Sequence, residues 1–172
     1  WRDVYSINRF RDFLMINFGR DFLGPTQHIV PFQPGHLLNM DLREDELRYV
    51  DLIPNWYQYL IESAEPELTW TALRDNEPYL CFGLRPMWAG VSEVWMVTGR
   101  NISRNPIALV KGARHIFDTC QERLGIRRLQ IAVRKHNETA YKFAKAVYFD
   151  VESVMTKYGP EGEDYFLMTR IR

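Results

Sequence analysis

The sequence predicts an α+β domain in which a mixed central sheet is flanked by helices in three layers. Alternating apolar runs joined by short turns indicate an antiparallel meander over residues 68–98. A strand, a helix and a second strand follow one another between Val91 and Val133, which implies a right-handed parallel crossover. Two further runs, residues 148–155 and 165–171, indicate a final hairpin around a turn with two glycines.

Residues 1–35 are predicted to form an N-terminal arm, and residues 36–172 the domain itself. Apolar side chains recur at helical spacing over residues 1–24 with charged residues between them, which predicts an amphipathic helix. Gly24-Pro25 then interrupts the pattern, and three prolines over residues 25–35 favour an extended connector. The arm either docks on a partner or packs on its own domain.

The first half of the domain is predicted to contain two helices between strands. Residues 36–41 are predicted as a strand, and Asp41 is predicted to cap a helix over residues 42–52 with an acidic first turn. Pro54 suits the first turn of the next helix, which is amphipathic up to Ala64. Strands are predicted over residues 68–73, 79–84 and 91–98.

The second half carries the clearest helix boundaries. Asn105 followed by Pro106 combines a capping residue with proline at the first helical position, and Gly125 is the expected left-handed stop. A strand over residues 128–133 follows, and Asn137 is predicted to cap another helix.

Composition argues against several classes of protein. The 22 basic and 22 acidic residues balance, whereas a nucleic-acid binder usually presents a basic surface. No apolar run approaches the roughly 18 residues that span a bilayer. Cys81 and Cys120 lie within apolar patterns and are predicted to be buried thiols, and the four histidines are too scattered for a metal site.

The element order, best matched from Glu93 to Arg172, resembles the GNAT (Gcn5-related N-acetyltransferase) superfamily. The run from Asn137 to Phe149 resembles the helix-to-strand motif N-x-x-A…Y…GF of these enzymes. The resemblance implies that acetyl-CoA lies where the fourth and fifth strands splay, with its pyrophosphate on N–H groups at the start of the central helix. The candidate acyl-CoA-binding residues are then Val97, Thr98, Gly99, Arg100, Arg104, Asn105 and Asn137.

Residues 85–96, 104–109 and 158–165 further resemble the small internal-virion-protein family of short-tailed phages and its GNAT-like relatives in prophages. This resemblance covers roughly residues 37–172. It implies a location in the virion or the host cytoplasm, and partners among other virion proteins such as the portal, tail or internal core.

Three departures from the GNAT pattern bear on catalysis. The phosphate-binding loop of GNAT enzymes has the pattern Q/R-x-x-G-x-G/A and corresponds here to residues 98–105. This segment contains a single glycine, Gly99. Arg100 and Arg104 could still pair with phosphates. The alternative is a solvated turn and helix cap. Ala144 occupies the position at which many GNAT enzymes carry the tyrosine that protonates the leaving thiolate. Tyr148 occupies the position of the glycine in the GF pair.

Glu93, at the start of the fourth strand, is the candidate general base by position, and its alternative role is a surface carboxylate. The resemblance to the phage family, the single-glycine loop and the aromatic N-terminal arm together favour a virion-associated scaffold that acts through protein–protein contacts, with little or no enzymatic activity. The alternative function is an acetyl-CoA-dependent N-acyltransferase that modifies a host or phage amine.

Overall fold

The computed structural model describes residues 26–172, so the predicted amphipathic helix over residues 1–24 lies outside the described residues. The elements in chain order are β1 (Gln27–Pro31), α1 (Pro34–Leu38), α2 (Glu44–Leu52), α3 (Trp56–Ser63), β2 (Thr69–Arg74), β3 (Glu77–Trp88), β4 (Val91–Thr98), a 3-10 helix (Arg100–Arg104), α4 (Pro106–Leu124), β5 (Arg128–Arg134), α5 (Glu138–Ala146), β6 (Asp150–Met155) and β7 (Tyr165–Ile171). Within residues 26–172 the strands form a seven-stranded sheet in the order β1-β2-β3-β4-β5-β7-β6. The mixed sheet with helices confirms the α+β class.

The described chain divides into two compact units. The first unit contains residues 26–85 and 95–109, and the second contains residues 86–94 and 110–172.

In the first unit, β1 and β3 pair antiparallel with the two sides of β2. The side chains of α1 to α3 and of the strands enclose an apolar cluster that includes the fully buried Leu37 and Cys81. Burying a leucine side chain of this kind contributes about 1.5–3 kcal/mol to folding. The buried members of this cluster are Leu37, Met40, Leu42, Trp56, Leu60, Cys81 and Val97.

The strand predicted over residues 36–41 is wrong, because this segment begins within helix α1. Pro34 supplies a first helical residue with a suitable fixed φ, and the backbone N–H of Gln33 donates to Nδ1 of His36 at 3.2 Å. The helical conformation of α1 places the Leu37 side chain in the apolar cluster and leaves Leu38 58% exposed. Burial of one leucine, together with the capping contact, therefore decides the conformation.

Residues 27–31, expected within an extended connector, form the edge strand β1. Gln27 lies opposite Arg74 and Pro31 lies opposite Trp70 on β2. The extended conformation was expected, but the pairing joins residues 39 to 47 positions apart and has no local signal. Pro31 is tolerated because it ends an edge strand.

The second unit contains the parallel pairing of β4 with β5 and the final hairpin. Val91, Ser92 and Glu93 pair in parallel with residues 128–130 of β5, which confirms the predicted parallel strand-helix-strand passage. β5 and β6 then pair antiparallel with the two sides of β7.

Helix α4 has the bounds predicted from its caps. It spans Pro106–Leu124, and Gly125 follows with a φ of 64°, the left-handed conformation that glycine adopts at no steric cost. Its inward side chains include Phe117 and Cys120, both buried in the second unit.

The two cysteines are buried thiols, as predicted. Burial raises the pKa of Cys81 to about 11, although a hydrogen bond with Thr71 opposes this shift, and burial raises the pKa of Cys120 further still. Both thiols are therefore protonated at neutral pH and poor nucleophiles.

Candidate functional site

Most of the predicted ligand-binding residues lie where β4 ends and α4 begins, within the first unit. The 3-10 helix Arg100–Arg104 fills the passage between the two elements. The side chain of Val97 is 3% exposed and belongs to the apolar cluster, so this residue could offer a ligand only its backbone. The side chain of Arg104 lies outside the described part of the structure.

Thr98, the last residue of β4, is held by residues at the start of α2. Its backbone N–H donates to Oε1 of Glu46 at 3.1 Å, and its hydroxyl donates to the same oxygen at 2.9 Å. Its carbonyl accepts the N–H of Arg43 at 3.1 Å. The backbone and side-chain donors of Thr98 are therefore already engaged within the chain.

The sequence did not identify Glu46 as a residue of the candidate site. This residue contributed only to the acidic first turn of a predicted helix. Burial raises the pKa of Glu46, although the two hydrogen bonds from Thr98 oppose this shift. Glu46 of α2 is thus a weakly acidic carboxyl beside the end of β4, able to hold or release a proton nearer neutral pH than an exposed glutamate.

Gly99 is required by the close approach of two backbone segments. Its N–H donates to the carbonyl of Tyr79 at 2.9 Å, and it forms an isolated antiparallel bridge with Leu42. A Cβ at this position would lie 3.2 Å from the carbonyl oxygens of both Asp41 and Tyr79. The glycine therefore serves internal packing, and its N–H has an acceptor within the chain.

Arg100 is anchored to Asp41 twice. Its backbone N–H donates to the Asp41 carbonyl at 2.8 Å, and its Nε lies 3.0 Å from Oδ1 of the same residue. Asp41 was predicted to cap the helix that follows, but that helix begins at Glu44 with Arg43 at the cap position, so the prediction is wrong. The Asp41 carboxylate faces Arg100 instead, which the intervening 59 residues concealed from sequence analysis.

Two backbone N–H groups near the start of α4 have acceptors within the chain. The N–H of Ile102 donates to the Gly99 carbonyl at 3.2 Å, and the Ile102 side chain is buried, so it adds no bulk at the surface of the loop. Oδ1 of Asn105 accepts the N–H of Ala108 at 3.1 Å, which confirms Asn105 as the cap. Pro106 has no N–H, so fewer backbone donors remain for an anion than in a glycine-rich loop.

Two other predicted site residues lie in the second unit. Glu93 is a half-buried residue of β4 that pairs with Gln130 of β5. Asn137 caps α5, because its Oδ1 accepts the N–H of Ala140 at 3.0 Å, as predicted from the sequence. The ligand-binding role of Asn137 stays a prediction.

Ala144 and Tyr148, the two residues that depart from the GNAT motif in this region, have distinct structural environments. Ala144 is 1% exposed and packs inward on α5. The ring of Tyr141, one turn earlier, packs against Phe166 at 5.6 Å. Tyr148 has a φ of 69°, so it occupies the left-handed conformation for which the motif uses glycine, and its side chain is 54% exposed.

Comparison with solved structures identifies the fold as that of the GNAT acetyltransferases. The chain is similar to the ribosomal-protein-S5-alanine acetyltransferase from Vibrio fischeri (15% identity, 86% of this chain and 94% of that chain covered, TM-score 0.63). It is also similar to RimL, the ribosomal L7/L12 alpha-N-protein acetyltransferase, in complex with coenzyme A (14% identity, 86% and 95% covered, TM-score 0.67). A GNAT family acetyltransferase from Elizabethkingia anophelis with acetyl-CoA bound gives 14% identity, 87% and 100% coverage and a TM-score of 0.64.

At these identities the likeness shows the fold alone. No protein-family model matches the sequence, and no curated protein matches it. The narrower resemblance to the phage family finds no support in these comparisons.

Residues 26–172 contain neither a helix that could cross a membrane nor a cluster of metal ligands. No helix of this part of the chain is long and apolar enough to cross a membrane. Within the same residues, no three His, Cys, Asp or Glu side chains come together in a way that could hold a metal ion.

Proposed function

We propose that this protein binds an acyl-coenzyme A and transfers the acyl group to an amine. The observation that carries the proposal is the fold itself, which is shared with acetyltransferases whose structures include bound coenzyme A and bound acetyl-CoA. The passage from β4 into the Asn105-capped helix α4 is the element that would receive the cofactor.

The contact with the diphosphate would depend on side chains more than on the backbone. The N–H groups of Thr98, Gly99 and Arg100 already have acceptors within the chain. The Arg100 side chain is 51% exposed, and apart from its Nε bond to Asp41 its guanidinium forms no hydrogen bond with the described residues. Two guanidinium nitrogens of Arg100 are thus available for a diphosphate oxygen.

When bound, an acyl-coenzyme A would supply an activated thioester. The amine nitrogen would form the new bond to the acyl carbon while the carbon–sulfur bond breaks, and Glu93 would accept the amine proton directly or through water. Ala144 offers no proton to the departing thiolate, which would take its proton from solvent. We therefore expect slow turnover that relies mainly on positioning.

The acceptor class that we propose is the α-amine of a protein N-terminus. Two of the similar structures are described as a ribosomal-protein alanine acetyltransferase and an alpha-N-protein acetyltransferase. Peptides with a free α-amine and no lysine, compared with Nα-blocked peptides that contain lysine, would distinguish this acceptor from a side-chain amine.

Calorimetric titration with acetyl-CoA tests the proposal. We expect saturable binding that Arg100→Ala weakens by about tenfold, the effect of one charge-assisted hydrogen bond. Lys142→Ala is the matched control, since it removes an exposed cation from α5. Glu93→Gln is expected to keep binding and to slow acyl transfer by about 100-fold or more. Absence of heat and of thermal stabilisation at millimolar acetyl-CoA would rule out the proposal.

A second candidate is a virion-associated scaffold that acts through contacts with portal, tail or internal core proteins. The observation in its favour is the internal use of the N–H groups of Thr98, Gly99 and Arg100, which in this fold are candidates for holding phosphates. It predicts no acetyl-CoA binding together with the presence of the protein in purified particles, and particles without it would argue against this candidate.

A further inference from the structure

The second unit carries a cationic cluster around the exposed ring of Tyr148. Cζ of Arg114 lies 4.3 Å from the centroid of this ring, and Cζ of Arg170 lies 5.7 Å from it. We define the Tyr148 cluster as Arg114, Asp118, Tyr148 and Arg170. Two guanidinium groups near one ring repel each other, and an anion close to both would offset this repulsion.

Arg170 is the buried member of the cluster. Its side chain is 9% exposed, and Cζ of its guanidinium lies within 5.8 Å of the ring centroids of both Phe117 and Tyr148. Nη2 pairs with the Asp118 carboxylate, whereas Nη1 is buried without a hydrogen-bond acceptor among the described residues. A charged donor left unsatisfied in the interior is costly, so Nη1 indicates a missing acceptor.

Arg114 contributes the accessible side of the cluster. Its Nε donates to the carbonyl of Ala146 at 2.8 Å, at the end of α5. Its other two guanidinium nitrogens form no hydrogen bond with residues 26–172. Arg172 adds a third cation, because its Nη1 lies 3.4 Å from the Asp118 carbonyl. The Asp118 carboxylate thus pairs with Arg170, while the Asp118 carbonyl faces Arg172.

The backbone at Tyr148 is strained in a manner that points to function. The N–H of Tyr148 donates to the Lys145 carbonyl, and the N–H of Phe149 donates to the Ala144 carbonyl, which is the Schellman arrangement. Glycine is the usual residue at the left-handed position of this motif, yet Tyr148 occupies it with a φ of 69°. Residues in strained conformations of this kind cluster at active sites and ligand clamps.

We propose that the Tyr148 cluster binds a phosphate group, which Arg114 and Arg170 hold from two sides. The planar guanidinium matches two phosphate oxygens, and a dianion would neutralise the excess positive charge and accept from Nη1 of Arg170. The ligand is inorganic phosphate or a phosphate monoester, since both present the same group. The site is independent of the acyl-coenzyme A site proposed above.

The experiment is a titration of the whole protein with inorganic phosphate at constant ionic strength, with chloride as the reference anion. Binding is measured by calorimetry and by the shift in thermal unfolding. Arg114→Gln is expected to weaken phosphate binding by about tenfold or more. Lys142→Gln removes an equal charge from the same unit outside the cluster and is expected to leave the affinity within about twofold. Arg170→Lys, which keeps the buried charge but loses the planar fork, is expected to weaken binding as well.

Adenosine monophosphate in a parallel titration identifies the source of the phosphate. Affinity equal to that of inorganic phosphate supports recognition of the phosphate alone, and tighter binding supports an ester. Arg100→Ala must leave phosphate binding unchanged, which separates this site from the proposed diphosphate contact. A thermal shift no larger with phosphate than with chloride, or equal losses in Arg114→Gln and Lys142→Gln, would overturn the proposal.

Discussion

One oxygen of Glu46 accepts hydrogen bonds from both the backbone N–H and the hydroxyl of Thr98, at 3.1 and 2.9 Å. This carboxylate therefore fixes the end of β4 from the first turn of α2. The strand end is also where the proposed cofactor loop begins, so under the proposed function this contact would bear on ligand binding as well as on stability.

Glu46→Ala is expected to lower the free energy of unfolding by about 1–3 kcal/mol. The substitution leaves the Thr98 N–H without its acceptor in a half-buried setting. Glu46→Gln retains an amide oxygen as acceptor and is expected to preserve stability at neutral pH. Urea denaturation of the three proteins measures the difference, and equal losses in both variants would contradict this role of the acceptor.

The pH dependence of stability should also report on Glu46. Burial raises its pKa in the folded protein, so between the ordinary glutamate pKa and the raised value the folded state binds more protons than the unfolded state. The contribution of this group to stability is therefore greatest below the ordinary pKa and is lost as the pH rises through the raised value. Unfolding free energies measured at pH 5 and pH 7 should show this fall in the wild-type protein relative to Glu46→Gln, and parallel profiles would exclude it.

Gly99→Ala is expected to destabilise the protein by about 1–3 kcal/mol, because the new Cβ would press against the carbonyl oxygens of Asp41 and Tyr79. Gly35→Ala is the matched control. Gly35 lies in α1, and the nearest atom to its added Cβ is Nδ2 of Asn39 at 3.9 Å, so alanine should be neutral or stabilising by up to about 1 kcal/mol. Thermal unfolding should separate the two variants, and similar melting temperatures would show that the loop yields without cost.

Substitutions at Tyr148 should reveal strain offset by a cation–π contact. Tyr148→Gly relieves the left-handed backbone, a gain of about 1 kcal/mol, but loses the contact with Arg114, which is worth about 0.5–1 kcal/mol. Tyr148→Ala loses the contact and keeps the strain. We expect the glycine variant to lie close to wild type and the alanine variant about 1 kcal/mol below it in unfolding free energy. An alanine variant as stable as the glycine variant would show that the backbone is not strained.

Leu37→Ala is expected to cost about 2–5 kcal/mol, since the side chain is fully buried in the apolar cluster. Its neighbour Leu38 is 58% exposed, so Leu38→Ala should change stability by no more than about 0.5 kcal/mol. Chemical denaturation of both variants tests the packing of α1, and a loss at position 38 comparable to that at position 37 would be inconsistent with it.

Local signals predicted the second half of the domain well. Asn105, Pro106 and Gly125 delimit α4 at the predicted residues, because caps and stops act within one helical turn. The same holds for Asn137 at the start of α5. Residues 36–41 were misjudged because a short apolar run fits a strand or a helix equally well, and the burial of Leu37 decided between them.

The sequence by itself determined the α+β class, the parallel crossover and the helix that follows β4, since periodicity and capping are properties of neighbouring residues. The tertiary structure alone decided what surrounds the candidate loop. Glu46 is 52 residues from Thr98, and Asp41 is 59 residues from Arg100, so no local pattern links them. Their contacts exist because the sheet and the apolar cluster of the first unit bring distant segments within hydrogen-bonding distance, and those contacts determine which donors of the loop remain available to a ligand.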